Sequence, residues 1–344
     1  MAPTQPSLTS QPSLTSNVAA FDAGAPVTAA AFIDSAPTLA LGDGHVLFAG
    51  AGAGAGGTRR VAAHPDAAIL VAAKAGSALA TGGDDGRVAL IGADSAMREV
   101  AHEKGKWIDA LAGRDDGALA WSTGKQVFAR DAKGEIKALA APSTVRGLAF
   151  MPKGYRLAIS HYNGASLWFP NAAAAPDELH WKGSHLDITV SPDGRFVVTA
   201  MQENALHAWR IADKKDLRLS GYPAKPRSLS WSSDGHWLAT SGAEAAIVWP
   251  FNSKEGPVNK APLESGVRPA RVSCVAFHPK SPVLAQGYTD GLILLVRLPD
   301  TAELLVREGA GPEAAITALS WDDAGRRLLF GGADGGAGLL TMPS

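Results

Sequence analysis

The sequence predicts an all-β fold, a closed β-propeller of four-stranded blades, and three observations carry that prediction. One pattern recurs along the 344-residue chain at a spacing of about 40 residues. Each recurrence joins short apolar runs through turns of Gly, Pro, Asn and Asp. No stretch sustains a helical period over the length a helix needs.

The pattern is a small or β-branched residue, an apolar pair, a large residue, a turn and a second apolar strand. Val145-Arg-Gly-Leu-Ala-Phe150 with Met-Pro-Lys-Gly154 shows it, as does Ile188-Thr-Val190 with Ser-Pro-Asp-Gly194. Leu229-Ser-Trp231 with Ser-Ser-Asp-Gly235, and Leu319-Ser-Trp321 with Asp-Asp-Ala-Gly325, repeat it. The large residue anchors each unit, at Phe32, Ala72, Gly113, Phe150, Val190, Trp231, Phe277 and Trp321, with steps of 37 to 46 residues. Ala72 and Gly113 are small for the position, but the flanks Ser77–Gly86 and Ala118–Trp121 read as second strands. Eight units of this length match the period of propeller blades. Seven, with an irregular second or third unit, is the alternative.

In chain order, residues 1–16 come first and contain Gln-Pro-Ser-Leu-Thr-Ser twice in tandem. This composition cannot bury enough apolar surface to offset chain entropy, so a disordered tail is expected, followed by one domain over 17–344. The tail has neither the basic nor the apolar region of a secretory signal. In the fifth unit the expected strands are Leu186–Val190, Phe196–Ala200, Ala205–Ile211 and Asp216–Leu219. The last unit stops after its third strand, Ala337–Thr341, and Asn17–Phe21 has the character to supply the fourth. That pairing would close the ring and cover an open sheet edge. Trp231 is expected to be a core side chain.

The balance of 32 basic and 33 acidic residues argues against nucleic-acid binding through an overall field. Hydrophobic residues make up 46%, enough for a large core, while runs such as Ala67–Ala73 are too short to span a membrane. A single cysteine, Cys274, excludes an intrachain disulfide and reads as a small buried hydrophobe. These features predict a cytoplasmic, monomeric protein. The alanine- and glycine-rich composition is of the kind that GC-rich bacterial genomes encode.

Over residues 17–344 the chain resembles the WD-repeat β-propeller family. The resemblance rests on the Ser-Pro-Asp-Gly turn, second strands such as Ala239-Thr-Ser-Gly242, and third strands ending in Trp168, Trp209 and Trp249. Gly83-Asp-Asp-Gly86, Tyr288-Thr-Asp-Gly291 and Gly332-Ala-Asp-Gly335 resemble the family's acidic turn. The Trp-Asp ending itself is absent, and units with the acidic turn lack the third-strand Trp. The family's Asp–His–Ser/Thr–Trp tetrad is therefore expected to be incomplete in every unit.

Sequence patterns for catalysis are sparse. Gly52, Gly54 and Gly57 form a G-x-G-x-x-G run, but no crossover helix follows, so a loop between strands is the better reading. The nine histidines show no metal-ligand spacing and read as isolated surface or turn residues, and no metal or other cofactor is expected. Four positions before each anchor stand Thr28, Ala68, Asp109, Arg146, Leu186, Arg227, Ser273 and Thr317, a channel-facing column with one carboxylate and Asp187 beside it. Calcium would want several.

The loops near this column are basic and carry aromatics. Lys104, Lys106, Trp107, Arg146, Tyr162, Tyr222, Arg227, Arg271 and Tyr288 form the expected partner-binding face, with Arg268 and Lys225 nearby. Arg, Trp and Tyr are the side chains that most often anchor interfaces. The reading is a non-catalytic scaffold for a protein or peptide partner, an acidic one suiting the arginines. The alternative is a propeller enzyme or small-ligand binder at the channel mouth around Asp109, Arg146 and Arg227. Single-stranded nucleic acid on the basic face is the least favoured, because charge is balanced.

Overall fold

The computed structural model describes residues 12–50 and 57–343. Gln5–Ser10 and most of the glycine run, residues 51–56, lie outside the described residues. The run is flanked by the strands His45–Phe48 and Arg59–Ala62, which pair with each other.

All the strand pairs are antiparallel and follow sequence order within each sheet, save the one in which the first strand, Val18–Asp22, joins the last, Gly336–Thr341. Polar turns join the strands, often with an Asp side chain accepting from the backbone N–H two residues on, as Asp94 does from Ala96 at 2.9 Å. The innermost strands are Val27–Ile33, Ile69–Ala75, Ala110–Gly113, Gly147–Phe150, Asp177–Val190, Leu229–Trp231, Val272–Phe277 and Ile316–Trp321. They succeed one another around a channel, and the last packs back on the first. Between Asp177–Val190 and Leu229–Trp231 the link is Trp231 Nε1 donating to Thr189 Oγ1 at 3.1 Å. Apolar faces of neighbouring sheets pack together. One cluster joins Ala31, Ile33 and Phe48 to Ile69, Leu79 and Ile91.

The expectation of eight separate blades is corrected: the strands form seven sheets, six of four strands and one of six. The units anchored at Phe150 and Val190 share the six-stranded sheet, because no turn interrupts Asp177–Val190. The N-terminal part of that strand pairs with Tyr162–Leu167, and its C-terminal part, His185–Val190, pairs with Val197–Met201. Leu157–Trp168 likewise runs on through Asn163 and Gly164, both at positive φ. Its first residues pair with Gly147–Phe150 and its last with Asp177–His180.

The closing strand is present. Val18–Asp22 pairs with Gly336–Leu340, and Phe21 packs on Leu329, Ala337 and their neighbours. The tail boundary is corrected, however. Pro12–Leu14 lies against the outer strand Glu303–Arg307, where Leu14 N–H donates to Leu305 O at 2.7 Å and Leu305 N–H to Pro12 O at 2.9 Å. Leu14 is buried among Val306, Ile316 and Phe330. Once its backbone has a strand edge to pair with, one leucine is enough to seat the segment.

Candidate functional site

Five of the innermost strands carry a β-bulge, at Val27/Ala29, Ile69/Val71, His185/Asp187, Val272/Cys274 and Ile316/Ala318. A bulge leaves one residue out of the ladder and re-aims its side chain. Thr317 Oγ1 uses this freedom to donate to Val27 O in the next sheet at 2.6 Å, and Ser273 Oγ donates to Ile316 O at 2.7 Å. Two members of the supposed channel column therefore join neighbouring sheets rather than lining a site. Ala68 is not in the column, since Leu70 occupies the bulge there. Cys274 is half-buried, with Sγ 3.5 Å from Thr317 O, and burial pushes its thiol up to about 11.

Asp187, on the same inner ring, accepts from Ile188 N–H at 2.8 Å, and burial pushes its carboxyl up to about 6. It faces Gly147, where a Cβ would come within 2.8 Å of the Asp187 Cα. A carboxyl raised in the folded state contributes stability that is fully present below the ordinary value of about 3.9 and is lost as pH rises through about 6. Asp187→Asn, isosteric and uncharged, is expected to raise Tm at pH 7.5 and to give no gain at pH 4. Equal melting of variant and parent at pH 7.5 would refute this.

Four of the nine histidines, His64, His161, His185 and His207, are not surface groups, while His102, His180 and His236 are exposed as expected. His64 is fully buried, with Nδ1 3.0 Å from Asp85 Oδ1 and Nε2 2.8 Å from Thr81 Oγ1. Three of the four tetrad members thus assemble around the acidic turn of Gly83–Gly86. Burial pushes the Asp85 carboxyl up, but the bonds from Arg87 N–H and His64 outweigh it and leave it lowered. His161 and His185 are buried on Ser166 and Thr199; the second bond bridges neighbouring strands, while the first spans Asn163 and Gly164 within Leu157–Trp168. His207 is sandwiched between Trp181, at 4.2 Å, and Trp209, at 4.6 Å. Burial pulls His207 down to about 4, although Asp216 Oδ2 lies 3.1 Å from its Nε2.

Two of the expected partner-binding residues are corrected outright. Tyr222 is buried and takes the tetrad histidine's place: Trp249 Nε1 donates to its hydroxyl at 2.7 Å. That hydroxyl lies 2.7 Å from Thr240 Oγ1, which donates onward to Ile247 O at 3.2 Å. Tyr288 is fully buried, its hydroxyl bonded to Gly266 O and 3.0 Å from Gln286 Oε1. A tyrosine beside a turn looks like a surface anchor in sequence; in the fold the phenol satisfies groups that burial has removed from water.

The other seven are exposed, six on loops that enter the innermost strands and Tyr162 within the strand Leu157–Trp168. Arg146 is paired with Asp109, Arg268 with Glu303 at 2.5 Å, and Arg271 lies 3.7 Å from Glu244. Among the described residues, Lys104, Lys106 and Arg227 have no ion-pair partner. Trp107 and Tyr162 are 66% and 58% exposed, far beyond what packing explains. Beside Tyr162 opens a cleft of about 420 Å³ lined by Trp181, Lys182, Gly183, Met201, Glu203 and Arg218. Sequence reasoning missed this cleft. Its signal was Trp181 two residues before Gly183, a large aromatic beside a glycine at positive φ. Among the described residues, no group of three or more His, Cys, Asp or Glu could hold a metal.

A ring of antiparallel sheets, with loops at the ends of its inner strands, defines a β-propeller repeat protein. The model of the WD domain, G-beta repeat, matches residues 215–249, which include Tyr222 and Trp249, and supports the resemblance to the WD-repeat propeller family. The chain is similar to the ribosome biogenesis protein WDR12 homolog of Drosophila mojavensis, 23% identical over 163 residues, covering 42% of this chain and 38% of that one. Periodic tryptophan protein 2 of Saccharomyces cerevisiae is 24% identical over 171 residues, covering 42% of this chain and 18% of that one. The chain thus spans well under half the length of these relatives. Among solved structures, the computationally designed Ika8 protein superposes with a TM-score of 0.74 at 17% identity, covering 93% of this chain and 98% of that one. A chain of the mitotic checkpoint complex gives 0.66 at 13% identity, with coverages of 80% and 87%.

Proposed function

We propose that the protein is a non-catalytic scaffold that binds a protein partner on the loop face bearing Trp107, Tyr162 and the cleft beside Trp181. The observation that carries this is the exposure of two large aromatics, Trp107 on a loop and Tyr162 on a rigid strand. Such anchors bind with little ordering cost. Relatives whose names place them in ribosome biogenesis and in U3 small nucleolar RNA association support a role inside a larger assembly. The carboxylates already paired with Arg146, Arg268 and Arg271 argue against charge as the main attraction. They also leave little at the channel mouth for an enzyme reading built on Asp109 and Arg146.

The test is affinity purification of the tagged chain beside Trp107→Ala/Tyr162→Ala. The double variant is expected to melt within about 2 °C of the parent, since exposed side chains away from packing cost little. It is expected to lose its partner at least tenfold. Undiminished retention would sink the proposed face, and steep salt dependence of whatever is retained would favour nucleic acid instead.

We also infer that the six-stranded sheet works as two blades, making eight repeat units around the ring. The eight innermost strands and the switch of partners along Asp177–Val190 support this. An experimental density map counts the blades directly.

A further inference from the structure

The segment Pro12–Leu14 is not part of a repeat unit, yet it occupies the outer edge of one. It adds to Glu303–Arg307 in parallel, through the bridge between Ser13 and Leu305. Two backbone hydrogen bonds hold it, and Leu14 fills an apolar seat beside Ala285, Ile293 and Val306. This is how a sheet edge receives an extended peptide: the main chain supplies affinity and an alternate side chain selects.

After Leu14 the chain must turn away, through Thr15–Asn17, to enter the closing strand at Val18. Its departure leaves a cleft of about 670 Å³ between the two strands, lined by Phe21, Asp22, Val306, Arg307, Glu308 and Phe330 among others. A peptide that is not tied to the closing strand can follow the edge further than the chain's own segment does. The docked residues also belong to the second of two identical hexapeptides, Gln5–Ser10 and Gln11–Ser16, so the chain contains this ligand sequence twice.

We propose that the edge of Glu303–Arg307 and its cleft form a docking site for an extended Pro-Ser-Leu segment of a partner protein, held in the free chain by its own N-terminal hexapeptide. The site lies on the outer rim and is independent of the loop face. A tethered occupant acts at an effective concentration in the millimolar range, so a partner must compete with it. The duplication supplies a second competitor in the same chain.

The experiment uses the full chain and a fluorescent Gln-Pro-Ser-Leu-Thr-Ser peptide. Leu8→Asp/Leu14→Asp removes the anchor from both internal copies and leaves the edge itself unchanged. The peptide is expected to bind this variant saturably and at least tenfold more tightly than the parent chain. A peptide with Asp at its Leu position is expected not to bind. The milder Leu8→Ala/Leu14→Ala pair gives the same ordering if the charged pair fails to fold. A folded variant that ignores the peptide at millimolar concentration overturns the proposal, as does equal binding to variant and parent.

Discussion

Removal of residues 1–24 is expected to lower Tm by about 10 °C and to cause aggregation, whereas removal of residues 1–11 leaves Tm unchanged. The shorter cut spares every strand pairing of the ring. The longer one deletes Val18–Asp22 and with it the whole register from Val18 opposite Leu340 to Asp22 opposite Gly336. It also strips Val18 from the cluster around Phe330 and Phe21 from the cluster around Leu329. Val18 and Phe21 are half-buried, so they fall at the low end of ~1.5–3 kcal/mol each, and with a strand's hydrogen bonds the loss comes to about 3–5 kcal/mol. For a domain of this size each kcal/mol moves Tm by roughly 2–4 °C. Aggregation follows because Gly336–Thr341 becomes an open edge with unpaired N–H and C=O groups. Thermal melts with light scattering decide the matter, and equal melting of the two truncations would mean that the closing strand holds nothing.

Trp209→Ala is expected to cost about 3–5 kcal/mol, the largest loss from truncating a single side chain of the six-stranded sheet. Trp209 is 1% exposed and sits between His185 and His207 in that sheet, so its removal leaves a cavity that a β-sheet cannot collapse to fill. Trp209→Phe is expected to be mild, because the indole Nε1 has no hydrogen-bond partner among the described residues to lose. Trp249→Phe differs: it breaks the bond to Tyr222 and leaves a buried hydroxyl short of a donor, at about 1–3 kcal/mol. Urea unfolding of the three variants should therefore rank Trp209→Ala below Trp249→Phe and Trp249→Phe below Trp209→Phe. Any inversion would show that the aromatic packing is not what holds this sheet. Trp231, the core tryptophan the sequence nominates, is half-buried and tied to Thr189, so its loss falls short of that of Trp209.

What could be read from the chain alone was periodic. An apolar face must recur with the strand period and a turn must follow it, so the all-β class, the unit length, the fifth unit's strands and the closing strand are all written locally. The same holds for Trp107 and Tyr162, which no apolar pattern claimed and which proved exposed. Two kinds of fact are not written locally. The first is where one sheet ends: Gly183 sits in the middle of Asp177–Val190 as a turn glycine would, yet the strand runs on, and only pairing on both sides shows that it serves two units. The second is whether a polar side chain faces water or a buried partner. Tyr222 and Tyr288 sit beside turns as surface anchors do, and His64 stands in a loop, yet Trp249, Gly266 and Asp85 reach them from 27, 22 and 21 residues away. Hydrogen-bond satisfaction is a property of three-dimensional neighbours, and the desolvation that makes it matter exists only once the sheets have packed.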